Sequence, residues 1–310
     1  MKKTKLLYVK RQNFRTYFFF VFLITLISGL PVFFVKSSTQ YVNDIARENQ
    51  KDTPFIKAIK SQDIKKVKSF IKSGVDINEV YQHGYTALMI AVSTGNIEIV
   101  KLLVEAGADL ESYDNNSNTP LMHAFFNGEK DGVVKFLLTK KVNIEVMNGQ
   151  EYTPLILAAL NNHCKSMQLL ITAGAKIEQK GRLDRTPLMY AIENGCVDAF
   201  RLLLKNKANI ETRDVFTFTP LLLSVFNNNG VMIRILLQAK ADRNASTINT
   251  ISVGKKKHSF SSDVTIWAGE KDFLNDFFTT AMPPIPKGSK ALDIAKQFEC
   301  RLAENVLNNN

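Results

Sequence analysis

Apolar and polar positions recur along most of this chain with a period of about 33 residues, and self-similarity at a fixed period of this length indicates a stacked repeat array. Each unit begins at a threonine, continues into an apolar stripe, breaks at a short polar turn and ends in a second apolar stripe. The starts are Thr53, Thr86, Thr119, Thr153, Thr186 and Thr219. Their spacing is constant, except that the unit beginning at Thr119 is longer than the others by a single position.

The unit that begins at Thr186 illustrates the helices that this pattern predicts. Threonine can cap the free amides of a helix, and Pro187 suits its first turn. Apolar residues then fall at helical spacing until Gly195 interrupts them, and a second stripe runs from Val197 to Leu204. Helices this short are unstable alone, so the units must stack and bury one continuous core.

The repeated motif is specific in its residue types. Four starts read Thr-Pro-Leu, and a small residue lies five positions after each start: Ala58, Ala91, Ala124, Ala158, Ala191 and Ser224. A run such as Ala106-Gly107-Ala108-Asp109 closes the unit. This pattern resembles the ankyrin repeat family over residues 53–250, with a shorter match near residues 290–307. The resemblance implies an all-α solenoid of helix-turn-helix repeats with short β-turn fingers.

The same pattern divides the chain into six segments. A basic segment (residues 1–16) precedes an apolar run (17–35) and a polar linker (36–52). Six repeats follow (53–250), then an insertion (251–289) and a C-terminal capping repeat (290–310). The insertion is inferred because the next start, at Lys290, comes slightly more than two repeat lengths after Thr219, where one repeat length is expected.

The apolar run from Tyr17 to Val35 contains no charged residue. A helix that crosses a bilayer core needs about 20 apolar residues, which is close to the length of this run, so the run predicts a transmembrane segment. Six basic residues precede the run and only Lys36 follows closely, which predicts a cytoplasmic N-terminus and extracytoplasmic repeats. The alternative is a cleaved signal peptide, which would make the protein a secreted binder.

The net charge adds little evidence about partners. Residues 1–40 contain seven Lys or Arg and no acid, so they supply +7 of the formal +11. The rest of the chain contributes only +4. Because the basic balance belongs to the N-terminal segment, no nucleic-acid partner is expected.

Residues that could carry chemistry do not form a recognisable set. His83, His123 and His163 fall at three different positions of the repeat, and no H-E-x-x-H or C-x-x-C motif is present. Three cysteines argue against a disulfide framework, and Cys164 is predicted to be a buried, inward-facing thiol. We therefore expect no catalytic residue, metal, cofactor or small-molecule substrate. The alternative is an enzyme whose site lies in the 251–289 insertion.

In the proteins that this chain resembles, partners bind a concave face formed by loop tips and by outward positions of the first helices. Carried over by register, the candidate tip residues are Gln82, His83, Asn115, Asn116, Arg182, Leu183, Val215 and Phe216. The candidate first-helix residues, four or seven positions after a threonine, are His123, Phe126, Tyr190 and Phe226. The resemblance implies a scaffold that binds another protein, the absence of a catalytic motif predicts no catalysis, and the apolar run predicts that the scaffold is tethered to a membrane.

Overall fold

The computed structural model describes residues 52–247, 285–297 and 300–308. All of these except Ile285 belong to one compact unit. The predicted membrane segment (17–35), its basic flank (1–16), the linker up to residue 51 and most of the insertion (251–289) lie outside the described residues. Among the helices that are described, none combines the length and the apolar character needed to cross a bilayer.

Thirteen α-helices occur in the described part of the chain. In order they are α1 (Pro54–Lys60), α2 (Ile64–Lys72), α3 (Ala87–Thr94), α4 (Ile97–Glu105), α5 (Asp131–Thr139), α6 (Pro154–Leu160), α7 (Cys164–Thr172), α8 (Pro187–Glu193), α9 (Val197–Lys205), α10 (Pro220–Phe226), α11 (Gly230–Gln238), α12 (Ala291–Gln297) and α13 (Arg301–Asn308). Three short 3₁₀ helices lie between them, at Gln82–Gly84, Met122–Phe125 and Arg182–Asp184. Over the same residues there is no β-strand, and Ser246 and Lys290 form an isolated bridge.

The helices stack in two layers. The first helices of successive repeats contact one another in the order α1, α3, Met122–Phe125, α6, α8, α10 and α12. The second helices do the same in the order α2, α4, α5, α7, α9, α11 and α13. Side chains such as Leu88, Leu137 and Phe200 are fully buried. The described part is therefore an all-helical stack, as the sequence predicted.

The first helices begin where the threonines of the motif cap them. In five repeats the threonine Oγ1 accepts the backbone N–H three residues ahead at 3.3–3.4 Å; these residues are Thr53, Thr86, Thr153, Thr186 and Thr219. Proline follows directly in four of them and occupies the first turn, where its missing N–H costs no hydrogen bond. The local sequence thus sets the start of each helix.

The repeat that begins at Thr119 is an exception. Its first helix is the 3₁₀ helix Met122–Phe125, although the motif predicts the same helix as elsewhere. The buried Thr119 Oγ1 has no hydrogen-bond partner among the described residues. This is also the repeat with the additional position, and its second helix begins correspondingly later, at Asp131.

Successive repeats are joined by a ladder of hydrogen bonds from backbone amides to side chains. A side-chain oxygen eight positions before each threonine from Thr86 to Thr219 accepts a backbone N–H of the next repeat at 2.8–2.9 Å. The pairs are Asn78 with Asp109, Glu111 with Asn143, Glu145 with Lys176, Glu178 with Asn209, and Glu211 with Asp242. We call these five bonds the amide ladder. They fix the register between neighbouring repeats.

After the insertion the chain rejoins the stack beside its sixth repeat. Thr247 N–H donates to Ser289 O at 3.0 Å, and Gly288 N–H donates to Thr247 O at 2.8 Å. Helices α12 and α13 then pack against α10 and α11. The backbone N–H of Ala303 donates to Asn228 Oδ1 at 3.1 Å, which ties this last helix pair to the turn of the sixth repeat.

Candidate functional site

The loop before each threonine ends in a tip, which we define as the residues four and three positions before it. In two loops an aspartate shapes the tip. Asp114 Oδ1 accepts the N–H groups of Asn116 and Asn118, each at 2.8 Å. Asp214 Oδ1 accepts those of Phe216 and Phe218, at 2.9 and 3.0 Å. An aspartate that bonds its own backbone two residues ahead forms a preferred turn, so the local sequence determines the tip conformation.

Neighbouring tips are hydrogen-bonded to each other. Asn115 N–H donates to His83 O at 2.8 Å, and Val215 N–H donates to Leu183 O at 3.0 Å. Both acceptor residues have left-handed backbone angles, with φ of 57° and 62°, and such angles are uncommon outside glycine. The predicted tip residues therefore form rows that are held by the backbone. Gln82, His83, Asn115 and Asn116 are exposed, whereas Arg182, Leu183, Val215 and Phe216 are half-buried.

The structure corrects the placement of the two candidates that lie four positions after a threonine. His123 is 0% exposed and Tyr190 is 3% exposed, so neither is an outward position. Both side chains extend beneath the tips rather than into solvent. His123 Nε2 lies 3.1 Å from Asp114 Oδ2, and Tyr190 Oη donates to Arg182 O at 2.7 Å. They can support the interaction face, but they do not form its surface.

The two candidates seven positions after a threonine do reach the surface. Phe126 and Phe226 are each half-buried at the end of a first helix. The Phe126 ring meets His123 edge to face at 5.5 Å, and Phe226 stacks on Phe218 at 5.4 Å. Aromatic pairs with this geometry hold each other in place. The face is therefore made of fixed aromatic rings bordered by tips.

Two buried polar clusters lie under this face. In the first, hydrogen bonds from His123 and Asn118 lower the pKa of Asp114, although burial alone would raise it. A carboxylate only accepts hydrogen bonds, so His123 Nε2 carries the shared proton.

The second cluster centres on Arg185, which the sequence analysis did not single out. Arg185 Nε donates to Asp214 Oδ2 at 3.1 Å, and its Nη1 lies 2.9 Å from Glu193 Oε2. All three side chains are buried. Burial raises the pKa of Asp214, and the positive charge of Arg185 partly offsets this by lowering it. Alignment of the repeats could have revealed this pair, because Arg185 lies one position before Thr186 and Asp214 lies five positions before Thr219.

The arrangement of the described residues bears on two kinds of chemistry, metal binding and thiol reactivity. No group of three or more His, Cys, Asp or Glu residues among them could hold a metal ion. Cys164 is half-buried rather than buried as predicted, because it is the first residue of α7 and lies at the helix end. Burial raises the pKa of its thiol, and it raises the pKa of Cys196 and Cys300 to about 11. Such thiols stay protonated at neutral pH and are poor nucleophiles.

Comparison with known proteins identifies the family. A search among curated proteins finds no match. The sequence model of a family described as ankyrin repeats, in three copies, matches residues 34–114, 109–181 and 179–247. Together these matches span residues 34–247, more than two thirds of the 310-residue chain. The motif, the stacked helix pairs and this match agree, and the chain belongs to the ankyrin-repeat family.

Proposed function

We propose that this protein is a scaffold that binds another protein through the tips and the neighbouring first-helix ends, without catalysis of its own. The partner-binding surface comprises Gln82, His83, Asn115, Asn116, Phe126, Arg182, Leu183, Val215, Phe216 and Phe226. His123 and Tyr190 support that surface from beneath. The proposal rests chiefly on one observation: fixed, partly exposed aromatic rings border rows of tips whose backbone is already ordered.

Two physical arguments support binding over other roles. Aromatic side chains contribute strongly to protein interfaces when they are pre-positioned and partly exposed. A surface whose tips are ordered by hydrogen bonds loses little conformational entropy when a partner binds. The first argument applies to Phe126 and Phe226, which are held by ring contacts at 5.5 and 5.4 Å, and the second applies to the hydrogen-bonded tips.

Site-specific photo-crosslinking in cells that make the full chain tests this proposal. A photoreactive residue at Asn116 or Phe216 should give a discrete crosslinked protein. The same residue at Val231, an exposed position on α11, is the matched control and should not. Phe126→Ser and Phe226→Ser should weaken the crosslink, and circular dichroism should show that both variants remain folded although each loses a half-buried ring. Equal products from all three positions would contradict the proposal.

The proposal extends to location. Residues 17–35 tether the protein to a membrane, with the N-terminus cytoplasmic and the repeats on the opposite side. The uncharged length of the run and the excess of basic residues before it support this arrangement.

Protease access to a chain with a C-terminal tag tests the location. A membrane-bound, full-length chain whose repeats are removed by external protease is the expected result. A shortened, soluble product outside the cell would replace the anchor with a cleaved signal peptide. Repeats that are membrane-bound but protected would reverse the orientation.

A further inference from the structure

Exposed apolar side chains recur at one position of the repeat. The segment that leads into each tip is here called the approach segment; it covers residues 75–80, 108–113, 142–147, 175–180 and 208–213. The last residue of each of the first three segments is apolar and exposed: Val80 by 66%, Tyr113 by 54% and Met147 by 37%. These three make up most of the large apolar side chains that are exposed among the described residues; the others are Val231 and Leu302.

The three side chains stand on neighbouring segments that are tied together. The amide ladder joins Asn78 to Asp109 at 2.8 Å and Glu111 to Asn143 at 2.8 Å, which lie in successive approach segments. The first helices of adjacent repeats also pack directly on each other. Packed helices lie about 8–10 Å apart, so Val80, Tyr113 and Met147 form a row with steps of about 10 Å.

The approach segments that carry this row are acidic. The first three approach segments contain five acidic residues and no lysine or arginine; the acids are Asp76, Glu79, Asp109, Glu111 and Glu145. In the part of the chain that the structure describes, their carboxylates bond backbone amides and the Tyr81 hydroxyl, and none pairs with a cation. The next two segments end instead in Lys180 and Arg213, so the acidic character stops after the third.

We infer that this apolar and acidic row binds an extended peptide segment of a partner protein. The segment carries apolar side chains at every third position and lysine or arginine between them. An extended chain of the polyproline type advances about 3.1 Å per residue, so its every third side chain recurs at about 9 Å and matches the row. The basic residues face the carboxylates of the approach segments, which accept hydrogen bonds but have no cation partner among the described residues. The charge of the row disfavours nucleic acid and anionic lipid. The inference rests on the proposed function and gives its partner a chemistry.

Peptide libraries bound to the full chain test the inference by fluorescence anisotropy. The first library has peptides of about nine residues with apolar residues at the first, fourth and seventh positions and Lys or Arg between them. The second replaces the basic residues with glutamate. The third keeps the composition of the first but moves the three apolar residues to the first, third and fifth positions. The first library should bind best, and added salt should weaken its binding because charge contributes.

Matched variants locate the binding. Tyr113→Ser and Glu79→Lys should each weaken binding of the first library about tenfold, or about 1.4 kcal/mol. Val231→Ser and Glu105→Lys change equally exposed positions on the second helices and should leave binding unchanged. An unchanged unfolding midpoint for Tyr113→Ser separates lost binding from lost folding.

Two results overturn the inference while the proposed function stands. The first is a result in which the protein prefers the second or third library, or binds the first library equally well after Tyr113→Ser. The other is absence of peptide binding while photo-crosslinks still form at Asn116 and Phe216. Absence of both peptide binding and crosslinks would overturn the inference and the proposed function together.

Discussion

The tips at Asp114 and Asp214 occupy the same position of the repeat but are stabilised differently. Each aspartate lies five residues before a threonine and accepts two backbone N–H groups of its own loop. The second oxygen then differs in its partner. Asp114 Oδ2 accepts hydrogen bonds from Asn118, which follows in the same loop, and from His123 on the 3₁₀ helix that this loop leads into. Asp214 Oδ2 receives Arg185 from the loop of the preceding repeat.

The comparison shows that the shape of a tip and the attachment of its aspartate to the rest of the stack depend on different hydrogen bonds. Two backbone bonds suffice to form the tip in both cases. The third bond decides whether the carboxylate is tied to the helix that follows its loop or to the loop of the neighbouring repeat. Loss of the Asp114–His123 bond should therefore loosen one loop from the helix that follows it, whereas loss of the Arg185 cluster should loosen two neighbouring loops from each other.

The largest expected effect follows from Arg185→Met. The substitution leaves the buried carboxylates of Asp214 and Glu193 without their cation, which should cost about 3 kcal/mol of unfolding free energy. Urea denaturation measures this cost. Arg201→Met, at an exposed site on α9, is the control and should change stability by less than about 0.5 kcal/mol. Equal effects of the two substitutions would remove the proposed difference between the tips.

Asp114→Asn should have an intermediate effect. It replaces a charged acceptor of His123 with an amide, and hydrogen bonds to charged groups contribute about 2 kcal/mol. Because the folded pKa of Asp114 is lowered, its stabilisation is present above the unfolded value of about 3.9 and is lost as pH falls through the folded pKa. Urea titrations of both proteins at neutral and acid pH should therefore converge at low pH. A constant difference would assign the effect to packing.

The smallest change in stability is expected at the threonines that follow the two tips. Thr219 Oγ1 caps α10 by accepting Leu222 N–H at 3.3 Å, so Thr219→Val should cost about 1 kcal/mol. Thr119 Oγ1 makes no such bond within the described residues, so Thr119→Val should be neutral or slightly stabilising. Thermal unfolding of the two variants side by side would show the contrast. A larger loss of stability for Thr119→Val than for Thr219→Val would indicate that the Thr119 hydroxyl has a role that its contacts in the structure do not explain.

The repeat pattern predicted most of the stack because its helices depend on local signals. Thr-Pro starts and apolar spacing are visible in each repeat, and the helix pairs follow them. The 3₁₀ helix Met122–Phe125 was not predicted, since its motif is the same as that of its neighbours. The extra residue of this repeat is visible in the sequence, but the Thr-Pro-Leu motif does not distinguish a 3₁₀ helix from an α-helix.

The interaction face was harder to predict than the stack. The predicted tip residues lie in the loops before the threonines, but His123 and Tyr190 are buried under them. Side-chain direction depends on how far each tip folds over its helix, and a repeat alignment does not contain that distance. The row of Val80, Tyr113 and Met147 could have been found by reading one column of the alignment. Its exposure, however, required the structure.

The amide ladder has a mechanical consequence. Each of its bonds joins only adjacent repeats, so a pulling force on the two ends of the array would load the bonds in series. The weakest interface should open first, and each released repeat, such as the one from Thr153 to Thr186, would lengthen the chain by roughly 110 Å. The array would then behave as a spring that yields in steps and shortens again when the force falls.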